Sequence, residues 1–358
     1  MAGKIRVLVA DDSASVRSAL MKGLSADPGI EVVGFACDGI EALEQVKALR
    51  PNVLTLDVEM PRMDGLRALE QIMKERPTAV VMVSSLTGKG TEATIKALEL
   101  GAVDFALKTA PRGLAAVRGL IEELRKKIRV AAMVNVAALA RQATQRERAA
   151  VKRPPAEGHS RRRKRVVVIA SSTGGPRALR NVIPLLPADL AVPVLVVQHL
   201  PAGFTARLAE SLDGASALTV EEARPGVELS AGRVLVAPGG VHMRVAANDS
   251  IRLNLDEREC GVRPSANLTM ESAASVYGDA VLGVVLTGMG SDGTRGAALI
   301  KGAGGEVIVE HESTCVVYGM PKSVVDEGYA DRIAPLSRIA SEIVRVCGAP
   351  VGRTEARV

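Results

Sequence analysis

The chain has 358 residues, enough for about two domains that each bury a core, and 47% of it is hydrophobic while only 2% is aromatic. With no Trp, three Tyr and three Phe, its cores must be built from Val, Leu, Ile, Ala and Met, which disfavours the aromatic platforms that bind single-stranded nucleic acid. The formal net charge of +6 is local: residues 141–165 hold ten Lys or Arg against two Glu, so the remainder carries about −2, and neither flanking region reads as a nucleic-acid domain.

The N-terminal Met-Ala-Gly-Lys-Ile-Arg runs directly into a strand pattern. No apolar stretch approaches the roughly 20 residues that span a bilayer, so neither export nor membrane insertion is expected. Cys37, Cys260, Cys315 and Cys347 lie far apart, with no Cys-x-x-Cys pair and no Cys/His group of zinc spacing. They are expected to be reduced thiols of a cytoplasmic protein.

Across residues 1–128, apolar runs at Ile5–Ala10, Ile30–Phe35, Val53–Leu56, Ala79–Val83 and Val103–Leu107 alternate with segments of helical period. Such alternation predicts a five-stranded parallel sheet covered on both faces. Polar residues stand where the strands end: Asp11 and Asp12 after the first, Asp57 after the third, Ser84 and Ser85 after the fourth, Lys108 after the fifth. Carboxylates gathered at one sheet edge repel one another unless a cation neutralises them, and hard oxygen ligands with room for water and phosphate suit Mg²⁺. Asp57 could then attack a phosphoryl donor, with the metal and Lys108 balancing the charge on the transferred group.

Val9-Ala-Asp-Asp-Ser13, Leu56-Asp-Val-Glu-Met-Pro-Arg-Met-Asp-Gly65 and Val83-Ser-Ser-Leu-Thr87 resemble the response-regulator receiver domain, a flavodoxin-like fold. That resemblance implies phosphorylation at Asp57 by a histidine kinase, a metal held by Asp11, Asp12 and Asp57, phosphoryl sensing by Ser84 and Lys108, and Phe105 as the switch aromatic. One departure is Lys108-Thr109-Ala110-Pro111, where receivers usually place Pro directly after the lysine.

Residues 129–164 begin as an Ala-rich helical continuation and dissolve into Gln, Arg, Pro154-Pro155 and Gly158, the pattern of a basic interdomain linker. The run Arg161-Arg-Arg-Lys-Arg165 could alternatively bind nucleic acid or an acidic partner.

Residues 165–348 read as a second doubly wound, mostly parallel α/β domain, followed by a tail at 349–358. Strands are expected at Val166–Ala170, Val192–Val197, Arg233–Ala237, Val281–Thr287 and Glu306–Val309, with a short antiparallel insertion near His242 to Leu255. The first strand breaks into Ser171-Ser-Thr-Gly-Gly-Pro176. Hydroxyls beyond the carboxyl end of a parallel strand sit where open α/β sheets collect their chemistry, although a Gly-rich turn there could equally cradle phosphate. A serine nucleophile needs a base and an orienting group. His199 ends another strand and Asp292 follows a third, while His242 and His311 compete for the base and Asp292 could merely cap the helix expected from Thr294.

Ile169-Ala-Ser-Ser-Thr-Gly-Gly175, Gln198-His-Leu-Pro-Ala-Gly-Phe204, Ala237-Pro-Gly-Gly-Val-His-Met243, Leu286-Thr-Gly-Met-Gly-Ser-Asp-Gly293 and Cys315-Val-Val-Tyr-Gly-Met-Pro321 look like the chemotaxis protein-glutamate methylesterases. By that resemblance the nucleophile is Ser172, the base His199 and the orienter Asp292, with Thr173 and Met289 supporting the site. The esterase domain would need no cofactor. The substrates would be glutamate γ-methyl esters, and glutamines, of methyl-accepting chemoreceptors, with a chemotaxis histidine kinase as phosphodonor and an unphosphorylated receiver that restrains the esterase. The competing reading is a phosphorylation-controlled module that binds phosphate or nucleotide without esterase activity.

Overall fold

The computed structural model describes residues 3–85, 87–108, 114–134, 136 and 165–348. The expectations for Thr109 to Pro111, for most of the basic linker and for the tail lie outside these residues. The chain divides into two compact units, Met1–Ala149 and Ala150–Val358.

In the first unit, strands β1 (Ile5–Ala10), β2 (Ile30–Ala36), β3 (Val53–Asp57), β4 (Ala79–Ser85) and β5 (Asp104–Lys108) alternate with helices α1 (Ala14–Ser25), α2 (Gly39–Leu49), α3 (Gly65–Glu75), α4 (Gly88–Leu100) and α5 (Leu114–Ala131). All strand pairs are parallel, in the order β2-β1-β3-β4-β5, the flavodoxin-like arrangement. Four helices start where a Ser, Asp or Thr side chain accepts an otherwise orphaned N–H: Ser13, Asp38, Asp64 and Thr87. The strand order reverses between β1 and β3, so the residues following β1 and ending β3 face one crevice.

The second unit carries β6 (Val166–Ser171), α6 (Gly175–Val182), β7 (Val194–Gln198), α7 (Phe204–Asp213), β8 (Thr219–Glu222) and β9 (Arg233–Val236). There follow β10 (His242–Val245), β11 (Ile251–Asn254), α8 (Ala266–Tyr277), β12 (Val281–Val285), α9 (Thr294–Gly302), β13 (Glu306–Glu310), α10 (Met320–Asp326), β14 (Arg332–Ala334) and α11 (Leu336–Cys347). Seven strands form one sheet in the order β14-β13-β12-β6-β7-β9-β8, and each of its pairings is parallel. The expected insertion is the antiparallel hairpin of β10 and β11.

The sheet's centre is built from buried valine, leucine and isoleucine of β6, β7 and β12, each contributing about 1.5–3 kcal/mol through burial. This apolar middle forces its polar residues to the strand ends. The chain leaves β6 toward β7 on one side and later returns through β12 on the other. The ends of β6 and β12 therefore define a second switch point, where a crevice is expected.

Candidate active site and phosphoacceptor cluster

The two serines that end the first strand of the second unit have different environments. Ser171 is fully buried and its hydroxyl donates to Gln198 Oε1 at 2.7 Å. Ser172 is half-buried, and only its backbone is tied down: its N–H donates to Thr287 O at 3.0 Å and its carbonyl accepts from Gln198 Nε2 at 2.9 Å. Gln198 thus commits one serine to structure and fixes the main chain of the other.

His199 follows β7, and its Nε2 lies 2.8 Å from Asp292 Oδ2. Asp292 is buried yet well supplied with donors: Ser265 Oγ at 2.7 Å, Ala266 N at 2.7 Å and Asn267 N at 3.1 Å. Burial pushes its carboxyl upward, but the hydrogen bonds with His199, Ser265 and Ala266 outweigh that cost and hold it below the ordinary aspartate range. An ionised carboxylate only accepts, so His199 Nε2 carries a proton, and the neutral tautomer that this contact selects has its lone pair on Nδ1. Asp292 does not cap the helix that follows it. It caps α8, whose own N-cap residue Ser265 makes no side-chain cap, while Asn267 Oδ1 accepts Gly293 N and Gly296 N, both at 2.9 Å, at the start of α9. The two helices exchange caps.

Thr287 joins the Ser172 loop to the segment before α10. Its carbonyl receives Ser172 N–H, its hydroxyl lies 3.0 Å from Thr173 O, and it accepts Val317 N at 2.9 Å. A buried glutamate, Glu310, holds the Thr287 N–H at 2.8 Å. The neighbouring Gly288 admits no side chain, since a Cβ would stand 2.3 Å from Met320 Sδ and 2.8 Å from Ser172 Cβ. Gly288 N–H is spent on Val317 O at 3.0 Å, and the residue after it, Met289, is 56% exposed. His242, the competing histidine, is fully buried behind Ser265, and His311 bonds Ser313 at the surface.

In the first unit, ligand oxygens of Asp11, Asp12 and Asp57 all lie within 4.8 Å of one another. Lys108 Nζ stands 2.8 Å from Asp11 Oδ2 and 2.6 Å from Asp57 Oδ2. Burial drives the Asp57 carboxyl up to about 6 against the pull of Lys108, while the Lys108 ammonium is raised because Asp57 and Asp11 outweigh its own burial. One lysine against three carboxylates leaves negative charge uncompensated, and the all-oxygen donor set fits a hard divalent cation. A cavity of about 160 Å³ beside them is lined by Asp12, Asp57, Val58, Glu59, Ser85 and Lys108. Ser85, not Ser84, faces that cavity. Ser84 is fully buried, with its hydroxyl 3.2 Å from Gly90 O and accepting from Thr94 Oγ1 at 2.7 Å. Phe105 is buried too, under the Lys127 ammonium at 5.0 Å from its ring centre.

Comparison with known proteins bears on both units. The family model for the CheB methylesterase matches residues 167–343, and that for the response regulator receiver domain matches residues 7–145. A protein-glutamate methylesterase/protein-glutamine glutaminase of Symbiobacterium thermophilum is 48% identical over 96% of this chain and 97% of its own length. One of the same name from Thermotoga maritima is 45% identical over 96% of this chain and 98% of its own. The chain belongs to the protein-glutamate methylesterase/protein-glutamine glutaminase family.

Two solved structures of Thermotoga maritima CheB are also similar. The methylesterase catalytic domain is 47% identical and covers 51% of this chain and 97% of its own, with a TM-score of 0.49. The response regulator domain is 49% identical and covers 37% of this chain and 98% of its own, with a TM-score of 0.35. Gln198, Ser265, Asn267, Thr287 and Glu310 were not singled out by the sequence as parts of the methylesterase site. Their one available signal was polarity inside apolar or small-residue surroundings, and all five are buried.

Proposed function

We propose that the chain is a cytoplasmic, phosphorylation-regulated hydrolase that removes methyl groups from glutamate γ-methyl esters of chemoreceptors and deamidates their glutamines. The observation that carries the esterase reading is the His199–Asp292 pair at 2.8 Å, set at the switch point beside the half-buried one of two adjacent serines.

In this reading the esterase spans residues 165–348, the receiver spans 1–128, and 129–164 link them. His199 Nδ1 takes the proton of Ser172 Oγ, which attacks the ester carbonyl; His199 returns the proton to the departing methanol, and water then releases glutamate from the acyl-enzyme. Asp292 holds the imidazole in the tautomer required and balances the imidazolium that forms. The N–H groups of Thr173 and Met289 are assigned to the oxyanion, where each well-aimed donor contributes about 3 kcal/mol. For glutamine the same steps release ammonia in place of methanol. Relatives that bear the esterase name along nearly the whole chain leave the phosphate-cradle alternative without support.

In the receiver, Asp57 accepts the phosphoryl group from a chemotaxis histidine kinase, and Asp11, Asp12 and Asp57 hold Mg²⁺, which when bound neutralises charge on the transferred group. Lys108, already paired with Asp57, is placed to balance the phosphoryl oxygens. Ser84 and Phe105 are assigned to the readout, which for Ser84 requires its hydroxyl to leave Gly90 and Thr94. Ser172→Ala is expected to abolish methanol release from methylated receptor with the fold intact. Undiminished release would end the assignment of the nucleophile. Turnover should rise when a small phosphodonor is added to the full chain and should not rise in Asp57→Asn.

A further inference from the structure

The mechanism makes no use of His242, although none of the described histidines of the second unit is more deeply buried. It opens the first strand of the antiparallel hairpin. Its Nε2 lies 3.0 Å from Glu257 O, and a carbonyl only accepts, so Nε2 carries the ring proton. Nδ1 is then an acceptor, and it receives Ser265 N–H at 3.2 Å. Ser265 in turn donates its hydroxyl to Asp292 Oδ1 at 2.7 Å, and the other oxygen of Asp292 meets His199 at 2.8 Å.

A second set of contacts ties the same hairpin to the same helix. Thr269 Oγ1 donates to Met243 O at 2.7 Å, and Ser272 Oγ accepts Val245 N at 3.0 Å. Residues 265, 269 and 272 share one face of α8 by helical spacing, so β10 grips that face in register from its first turn onward. Burial holds the His242 imidazole below its ordinary range, which preserves the neutral tautomer that this register requires.

We infer that His242 is a positioning residue of the esterase site, its Nδ1 fixing the Ser265 backbone and thereby aiming the Ser265 hydroxyl and the α8 N-terminus at Asp292. The inference rests on the assignment of His199 and Asp292 as base and orienter. It also gives the hairpin insertion a purpose, as the rigid back wall against which the orienting carboxylate is set. Without an acceptor at Nδ1, Ser265 N–H would be buried and unsatisfied, and α8 would shift to regain a partner.

The test separates the two ring nitrogens. In His242→Asn the amide oxygen takes the place of Nδ1, whereas in His242→Gln the amide takes the place of Nε2; His242→Leu supplies neither. The full chain and these variants, alone and combined with Asp292→Asn, are assayed for methanol release from methylated receptor. Values of kcat are taken per folded molecule, and KM is determined separately. His242→Leu and His242→Gln are expected to lose up to about 100-fold in kcat, the cost of misplacing a catalytic group by about 1 Å, with KM within about twofold. His242→Asn should recover most of the loss, and none of the three should add to the loss already caused by Asp292→Asn. Rescue by Gln but not Asn, or losses that multiply in the Asp292→Asn background, would overturn the inference, and this comparison stands even if the Leu variant does not fold. Full activity of Asp292→Asn alone would instead overturn the underlying assignment of the orienter.

Discussion

Replacing Glu310 by Gln is expected to stabilise the second unit at alkaline pH and to do so progressively less as the pH falls. Glu310 ends β13, is fully buried, and offers Oε2 to Thr287 N–H at 2.8 Å; among the described residues no ion pair reaches it. Burial therefore drives its carboxyl from 4.5 up to about 7, against the smaller opposing pull of the Thr287 N–H. Glutamine keeps a carbonyl oxygen for that N–H and has no charge to desolvate. Because the folded state holds the proton more tightly than the unfolded state, the glutamate's contribution is fully present below about 4.5, is lost as the pH rises toward 7, and is flat above. At roughly 1.4 kcal/mol per pH unit the whole change amounts to about 3 kcal/mol. The assay is urea unfolding of the full chain at several pH values between 4.5 and 8, followed by tyrosine fluorescence. Tyr277, Tyr318 and Tyr329 are the chain's three tyrosines, all in the second unit, and Trp is absent. The stability gap between variant and parent should widen in the variant's favour by about 3 kcal/mol from acid to alkaline. A gap that is constant with pH, or that closes as pH rises, would refute the claim that an unpaired buried carboxyl sits here.

Gly288→Ala should damage turnover as well as folding, because the new methyl group would push against Ser172 Cβ from 2.8 Å and against the buried Met320 Sδ from 2.3 Å. A stability loss of about 1–3 kcal/mol is expected in thermal unfolding, together with a fall in kcat that adding substrate does not restore; unchanged kcat would mean that the loop tolerates displacement. Removing divalent cations with a chelator should block phosphoryl uptake from a small phosphodonor as completely as Asp57→Asn does, while leaving basal methanol release unchanged. Phosphate incorporation that survives chelation would exclude a metal role for Asp11 and Asp12.

Much of this arrangement is legible in the sequence because a parallel sheet buried on both faces has to put its polar residues at the strand ends. The valine-rich runs before Ser171, Gln198 and Thr287 announce both the strands and the edge where they converge. The edge strands β8 and β14 escaped notice, being four and three residues long and partly charged, too short for a periodic signal. The reading of β13 stopped at Val309 because a glutamate looks like the start of a loop, yet Glu310 is buried as the partner of a backbone N–H contributed by the loop that follows β12. Local rules also offered the helix after Asp292 as its capping target. Its actual target is α8, which begins some 26 residues earlier, and sequence spacing carries no information about such an exchange. Likewise Ser84 and Ser85 are adjacent and chemically alike, and only the pleat of β4 decides which hydroxyl meets the cavity and which meets α4.

The exchange of caps between α8 and α9 has a practical consequence for anyone wishing to trap the receptor on an inert form of the protein. Catalytic groups are often kept at a cost to folding, so that deleting them relaxes the molecule. Asp292 breaks that pattern, since the same carboxylate that would serve His199 also terminates a helix. A decoy made by changing Asp292 would be frail as well as silent, and its failure to hold receptor would be uninterpretable. Ser172, the proposed nucleophile, carries no such second duty through its hydroxyl, which makes it the position at which chemistry would be switched off without loosening the surface that receives the substrate.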